Sequence, residues 1–216
     1  MREKRAVLLV EGTSDFGLIK NLWERHYSDP MPFEIKPSFN DRDLLDAFRG
    51  SLLGSEVSRL GMVVDADSSV ETRWPGVYQA LVDRGYRPVP KRPIPEGMVI
   101  YRSERTVPLV GVWVMPNNAL PGALEDFARY LIRADDKLWP HAEQVISEIP
   151  SELRRFREVQ QSKVHIHTWL AWQSDPGLRL GLAMRRRLLD SAAPQAVQFV
   201  QWLRRLFVDD PVSTEM

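Results

Sequence analysis

The sequence predicts an α/β fold with a mostly parallel sheet, and three observations predict it. Short apolar runs rich in Val, Leu and Ile recur between residues 6 and 118. Amphipathic stretches lie between them, with apolar residues at helical spacing. Gly, Asn, Ser or Thr bound most of these segments, as turn and cap chemistry requires. Strands that alternate with helices build parallel sheets, because a parallel neighbour is reached through a crossover.

In chain order, residues 6–10 (AVLLV) read as a buried strand that breaks at Gly12. Phe16, Ile19, Leu22, Trp23 and His26 then fall at helical spacing, with Thr13 or Ser14 as cap. PFEIKPSF is a second, shorter strand, and NDRDLLDAFRGSLL a capped amphipathic helix. RLGMVVDAD is a third strand with carboxylates at its end. RWPGVYQALVDRGY is a helix closed by Gly85. Residues 87–108 carry five prolines and read as a loop or edge hairpin, because GMVIYR within them has strand character. LVGVWVMPNN is a strong strand, and GALEDFARYLI opens the helix after it.

After about residue 137 the text becomes helical in four stretches, residues 140–160, 163–173, 178–190 and 193–207. The expected organisation is a catalytic core over residues 1–136 and a helical C-terminal extension, 137–216, packed on it. Residues 209–216 read as a loose tail.

Composition narrows the function classes. With no cysteine, disulfides, thiolate metal sites and a cysteine nucleophile are excluded. The apolar run near the start, residues 6–10, is too short for a signal peptide, and no run is long enough to span a membrane. A soluble, cytoplasmic protein is expected. The 29 basic and 29 acidic residues cancel, but unevenly. Residues 1–150 hold 19 Lys/Arg and 22 Asp/Glu, whereas residues 151–208 hold 10 and 4. An acidic first part and a basic last quarter suit a cation site beside a polyanion-binding surface, or an ordinary solvated helical face.

Ligands of parallel α/β sheets gather at the carboxyl ends of the strands. Glu11 ends the first strand, Asp65 and Asp67 end the third, and Glu125 and Asp126 open the helix after VGVWVMPNN. Each alone reads equally as a cap or dipole partner. Crowded at one sheet edge, they repel one another unless a cation neutralises them. Mg²⁺ and Mn²⁺ prefer such oxygen ligands, as one ion or as a pair about 4 Å apart that promotes phosphodiester cleavage. Asp15, four residues after Glu11 across the Gly12 turn, is a cap or a further ligand.

LLVEGTSD followed by GMVVDAD resembles the E-G and D-x-D motifs of a Toprim domain, the catalytic fold of primases and topoisomerases. VGVWVMPNNALPGALEDF and KVHIHTWLAWQSDPGLRLGLAM resemble small stand-alone Toprim proteins of bacteria and archaea, catalogued mainly as a domain of unknown function. The resemblance spans roughly residues 5–208. It implies that Glu11 is the Toprim glutamate, a general acid or base or a metal ligand, and that Asp65 and Asp67 are the metal-binding pair. By similarity to the overcoming-lysogenization-defect (OLD) nucleases, Asp15 and Glu125 are further metal ligands and Lys163 lies near the scissile phosphate. The implied activity is a Mg²⁺- or Mn²⁺-dependent nuclease acting on DNA or RNA. OLD nucleases join this domain to an ATPase, and no G-x-x-x-x-G-K-[ST] occurs here, so an ATPase or other partner would be a separate chain.

Two alternatives come from other classes. A RecR-like module would bind nucleic acid or a partner without cutting. VVDADSS also resembles the D-x-D-x-T/S motif of haloacid-dehalogenase phosphatases, although there the motif stands on the first strand. Among the remaining candidates, His165 and His167 lack the further ligands a zinc site needs, although either could touch a phosphate. Trp169, Trp172 and Trp202 are expected to pack the tail against the sheet. Arg185, Arg186 and Arg187 are expected to fan around a helix, as solvated residues or as a phosphate-contacting edge. Asn117 and Asn118 are expected to form a turn, or to orient water or substrate.

Overall fold

The computed structural model describes residues 5–38, 40–54, 56–100 and 107–209. Two expectations lie outside them: the end of the GMVIYR run, at Tyr101 and Arg102, and the tail beyond Asp209. Among the described residues, five strands form one sheet. They are β1 (Arg5–Val10), β2 (Glu34–Pro37), β3 (Val57–Asp65), β4 (Met98–Ile100) and β5 (Leu109–Met115). Their order is β2-β1-β3-β5-β4, parallel throughout except for the edge strand β4, which runs antiparallel to β5. The mostly parallel α/β sheet expected from the sequence is thus present, consistent with a Toprim-like fold.

Helices cover both faces, which is why the central strands are apolar on both sides rather than alternating. One face carries Val7, Leu9, Met62, Val64, Val112 and Val114. They pack against α2 (Asp41–Ser51) and α3 (Val70–Asp83), through Leu44, Phe48, Trp74, Val77 and Leu81. Asn40 caps α2 by accepting the Asp43 N–H at 2.9 Å. Ser69 caps α3, accepting the Glu71 N–H at 3.1 Å, and Gly85 leaves α3 in the left-handed conformation at φ 76°.

On the other face, Leu8, Val10, Val63, Trp113 and Met115 pack against α1 (Thr13–His26), α4 (Leu124–Tyr130) and α8 (Pro194–Phe207). α8 lies very close to the sheet. A Cβ on Gly61 would fall 2.5 Å from the Leu8 side chain and 2.9 Å from Phe207, and one on Gly111 would fall 2.6 Å from Leu206. The glycines in LGMVV and VGVWV therefore make room for a helix from the far end of the chain. Behind this layer lie α5 (Leu138–Ser147), α6 (Gln161–Ala171) and α7 (Leu180–Arg185). The C-terminal helices share one apolar cluster with the sheet, from Leu8 to Phe207. Among the described residues, no helix is long and apolar enough to cross a membrane.

Four local expectations are corrected. α1 has Gly12 at its N-cap, with no side-chain cap from Thr13 or Ser14; the Asp15 carboxylate reaches back to the Gly12 N–H instead. The stretch 140–160 is not one helix, for after α5 it breaks at Pro150 into two short 3₁₀ turns, Ser151–Leu153 and Glu158–Gln160. The stretch 178–190 is helical only over α7, so the three arginines do not fan around one helix: Arg185 ends α7 and Arg187 is left-handed at φ 64°. Trp169 and Trp202 are buried, whereas Trp172 lies past the end of α6, 39% exposed, beside the His141 ring at 5.4 Å.

Candidate functional site

The site is built from three chain crossings at one end of the parallel strands. β1 ends at Val10 and delivers Glu11; the chain turns through Gly12 into α1 and places Asp15 in its first turn. β3 ends on Asp65. β5 ends at Met115, whose register partner on β3 is Asp65, and a loop leads to α4 with Glu125 and Asp126 in its first turn. Backbone bonds tie these loops together. The Asp67 N–H donates to the Gly122 carbonyl at 2.9 Å, and Gly122 returns the bond at 2.8 Å. Gly122 has φ 135°, and a Cβ there would meet the Asp126 carboxylate at 2.6 Å, so this position requires glycine.

The carboxylates differ in environment. Glu11 accepts the Asp65 backbone N–H at 2.9 Å, which joins the ends of β1 and β3 through a side chain. Asp15 is 6% exposed and accepts the Gly12 N–H at 3.0 Å. Burial first, and then the Glu11 charge, push its carboxyl up to about 7, with Glu125 adding in the same direction. Asp65 is pushed well above the usual carboxylate range, by burial first and then by Glu11, Asp15, Glu125 and Asp67. Its Oδ1 atom is buried with no hydrogen-bond partner among the described residues. A buried carboxylate oxygen with no donor is costly, and a cation at that point would satisfy it.

Asp67 stands apart from this buried group. The strand ends at Asp65 and Asp67 is left-handed at φ 52°, so the two-residue alternation of the strand does not carry its side chain to the same place. Asp67 is half exposed and pairs with Arg73 of α3, whose Nε also donates to the Asp65 carbonyl at 2.9 Å. Glu125 is largely covered and meets Lys163 of α6, Nζ to Oε1 at 3.5 Å. Asp126 is occupied structurally: it accepts the Ala123 N–H at 2.8 Å and the Ser162 hydroxyl. Asp65 thus feels Glu11, Asp15 and Glu125 more than it feels Asp67, Lys163 lies at their edge, and Asp67 is half exposed on Arg73.

Among the described residues, no three Asp, Glu or His side chains already stand close enough together to enclose a metal ion. The donor chemistry nonetheless fits a hard divalent cation. The group offers only oxygens, its carboxyls oppose one another's ionisation, and Asp65 Oδ1 has no partner.

The other candidates fall elsewhere. His165 is half-buried in an edge-to-face contact with Trp139, while His167 is exposed. Asn118 is buried and locks its own turn, accepting the Val114 N–H at 2.7 Å and donating to the Pro95 carbonyl at 3.2 Å. Asn117 accepts from Ala119 and Leu120 in the same turn. Arg73 is the residue that motif reading missed. Its one local cue is its place four residues after the Ser69 cap, in the first turns of the helix that follows D-x-D.

No curated protein and no solved structure matches the chain. A family model described as a protein of unknown function, DUF3226, matches residues 5–208, and the chain belongs to that family.

Proposed function

We propose that the protein is a divalent-metal-dependent nuclease, hydrolysing phosphodiester bonds of DNA or RNA at a Toprim-like acidic site. The observation that carries this reading is the buried, unpartnered Asp65 Oδ1 among carboxyls delivered by the ends of three adjacent strands. Glu11, Asp15, Asp65 and Glu125 would hold Mg²⁺ or Mn²⁺, as one ion or two, with Asp67 at the rim. A bound cation of this kind supplies Lewis-acid stabilisation of phosphoryl oxygens.

The chain's own side chains supply the rest. Glu11 ties the end of β1 to the end of β3 by accepting the Asp65 N–H, and in the Toprim reading it is also the proton-transfer group. Lys163, 60% exposed at its side chain beside Glu125, can exchange that partner for a substrate phosphate and stabilise charge building on it. Arg73 orients Asp67 and holds the Asp65 carbonyl, so it is a positioning residue.

A second reading has its own support. Asp67 and Glu125 already meet the cations Arg73 and Lys163, which suits a nucleic-acid- or partner-binding module that does not cut. One experiment separates the two. Wild type, Glu11→Ala and Asp65→Ala are incubated with Mg²⁺ or Mn²⁺ and a panel of supercoiled, linear and single-stranded DNA and structured RNA, and Mn²⁺ affinity is measured by calorimetry. The nuclease reading expects cleavage by wild type alone and loss of Mn²⁺ binding in both variants. Metal binding without cleavage of any substrate supports the module, or an enzyme that awaits a separate ATPase or other protein partner. Unchanged Mn²⁺ affinity in Asp65→Ala overturns the site itself.

A further inference from the structure

A cavity of about 470 Å³ lies beside the acidic edge, between the outer face of α3 and the proline-rich segment before β4. Its volume falls in the range of small-ligand sites, about 300–1,000 Å³. Trp74, Pro75 and Tyr78 form the α3 wall, and Lys91, Arg92 and Pro93 face them. Tyr78 lies one helical turn beyond both Trp74 and Pro75, so it is a neighbour of each on the helix surface.

Both walls are held in place. The Trp74 indole N–H donates to the Pro90 carbonyl at 3.0 Å, and the Pro95 carbonyl accepts from Asn118 at 3.2 Å and from Gln198 at 2.9 Å. The segment between these anchors carries Lys91 and Arg92, both exposed. The wall's one carboxylate, Glu71, accepts the Ser69 hydroxyl at 2.9 Å and lies near enough to Arg92 to feel its charge. Asn118 and Ala119 also line the cavity, and they belong to the same β5–α4 connection whose Gly122 pairs with Asp67. The cavity and the acidic group therefore share a loop.

We propose that this cavity binds one unpaired nucleotide, its base against Tyr78, Pro75 and Pro93 and its phosphate on Lys91 and Arg92. The ligand class rests on the nucleic-acid reading above. Aromatic and proline faces stack on bases without reading sequence, and an Arg–Lys pair suits a phosphate. A paired base is unavailable to a two-walled slot, so the occupant is a base outside a duplex. Free nucleotide and unpaired strand present the same chemistry.

The test is fluorescence anisotropy in EDTA, which suppresses cleavage. Labelled single-stranded DNA and RNA of about 12 nucleotides are compared with a blunt duplex of the same length. Adenosine and uridine monophosphates serve as competitors. Single strands are expected to bind more tightly than duplex. Tyr78→Ala and the double variant Lys91→Glu/Arg92→Glu are expected to weaken binding about ten-fold each, while Tyr78→Phe keeps wild-type affinity. Thermal melts check that each variant is folded. Displacement by a monophosphate supports a free nucleotide as the occupant; resistance to displacement supports the strand. Wild-type affinity in both Tyr78→Ala and the double variant overturns the proposal, as does equal affinity for duplex and single strand. Asp65→Asn separates this outcome from the catalytic one, because it is expected to retain single-strand affinity in EDTA. If Asp65→Asn still cleaved with Mg²⁺, the acidic-site reading would fall while the binding data stood on their own.

Discussion

At Asp15, burial and the Glu11 charge both oppose ionisation, and the carboxyl titrates at about 7 against an unfolded value near 3.8. Between those values the native protein holds a proton that the unfolded chain releases. The contribution to stability is fully present below the unfolded value and is lost as pH rises through about 7. In EDTA, wild type is therefore expected to lose stability between about pH 4 and pH 7, and Asp15→Asn to lose less. At the upper end the variant is expected to be the more stable by up to a few kcal/mol, since its amide can still accept the Gly12 N–H. Parallel thermal melts across that range check this, and identical slopes for the two proteins would remove Asp15 as the cause. The carboxylates themselves were legible in the sequence, because strand ends are legible. Their inequality was not. Only the fold shows that Asp65 is turned into the cluster with an oxygen unpartnered, whereas Asp67, two residues on, is left-handed and pairs with Arg73.

Among the elements, α1 and α7 meet through their backbones. A Cβ on Gly181 would fall 2.6 Å from the carbonyl carbon of Gly17, and backbone cannot move aside as a side-chain end can. Gly181→Ala is expected to cost about 1–3 kcal/mol, read as a lower denaturant midpoint at unchanged slope. Because α1 carries Asp15, the same variant is expected to weaken Mn²⁺ binding although residue 181 is not in the acidic group. Unaltered stability would show that the helices can separate at no cost. The α1, α2 and α3 helices were legible from their periodicity, and α2 from its Asn40 cap. The helix boundaries after residue 137 were less so. Arginine-rich text such as SELRRFREVQ has helical composition, yet Pro150 and the lack of a buried face leave it as two 3₁₀ turns with no buried residue.

For the whole molecule, the C-terminal quarter divides between an outer tier and a structural layer. α8 buries Phe199, Trp202, Leu203 and Leu206 against β3, β4 and β5, and Trp202 donates to the Met98 carbonyl at 3.0 Å. At about 1.5–3 kcal/mol per buried apolar side chain, those four residues contribute about 6–12 kcal/mol, comparable with the entire stability of an ordinary domain. A chain ending before Pro194 is therefore expected to lack a cooperative thermal transition and native circular dichroism. A folded truncation would show that the first 193 residues form an independent unit. The alternation of strands and helices, the parallel sheet and the acidic strand ends follow from local text, because periodicity, caps and strand termini are local properties. Packing across the whole chain alone places α8 on the same sheet face as α1 and α4, sets Lys163 beside Glu125 and Arg73 beside Asp67, and opens a cavity next to them. Those relations join residues far apart in the chain or depend on a single left-handed residue, and no local pattern encodes either.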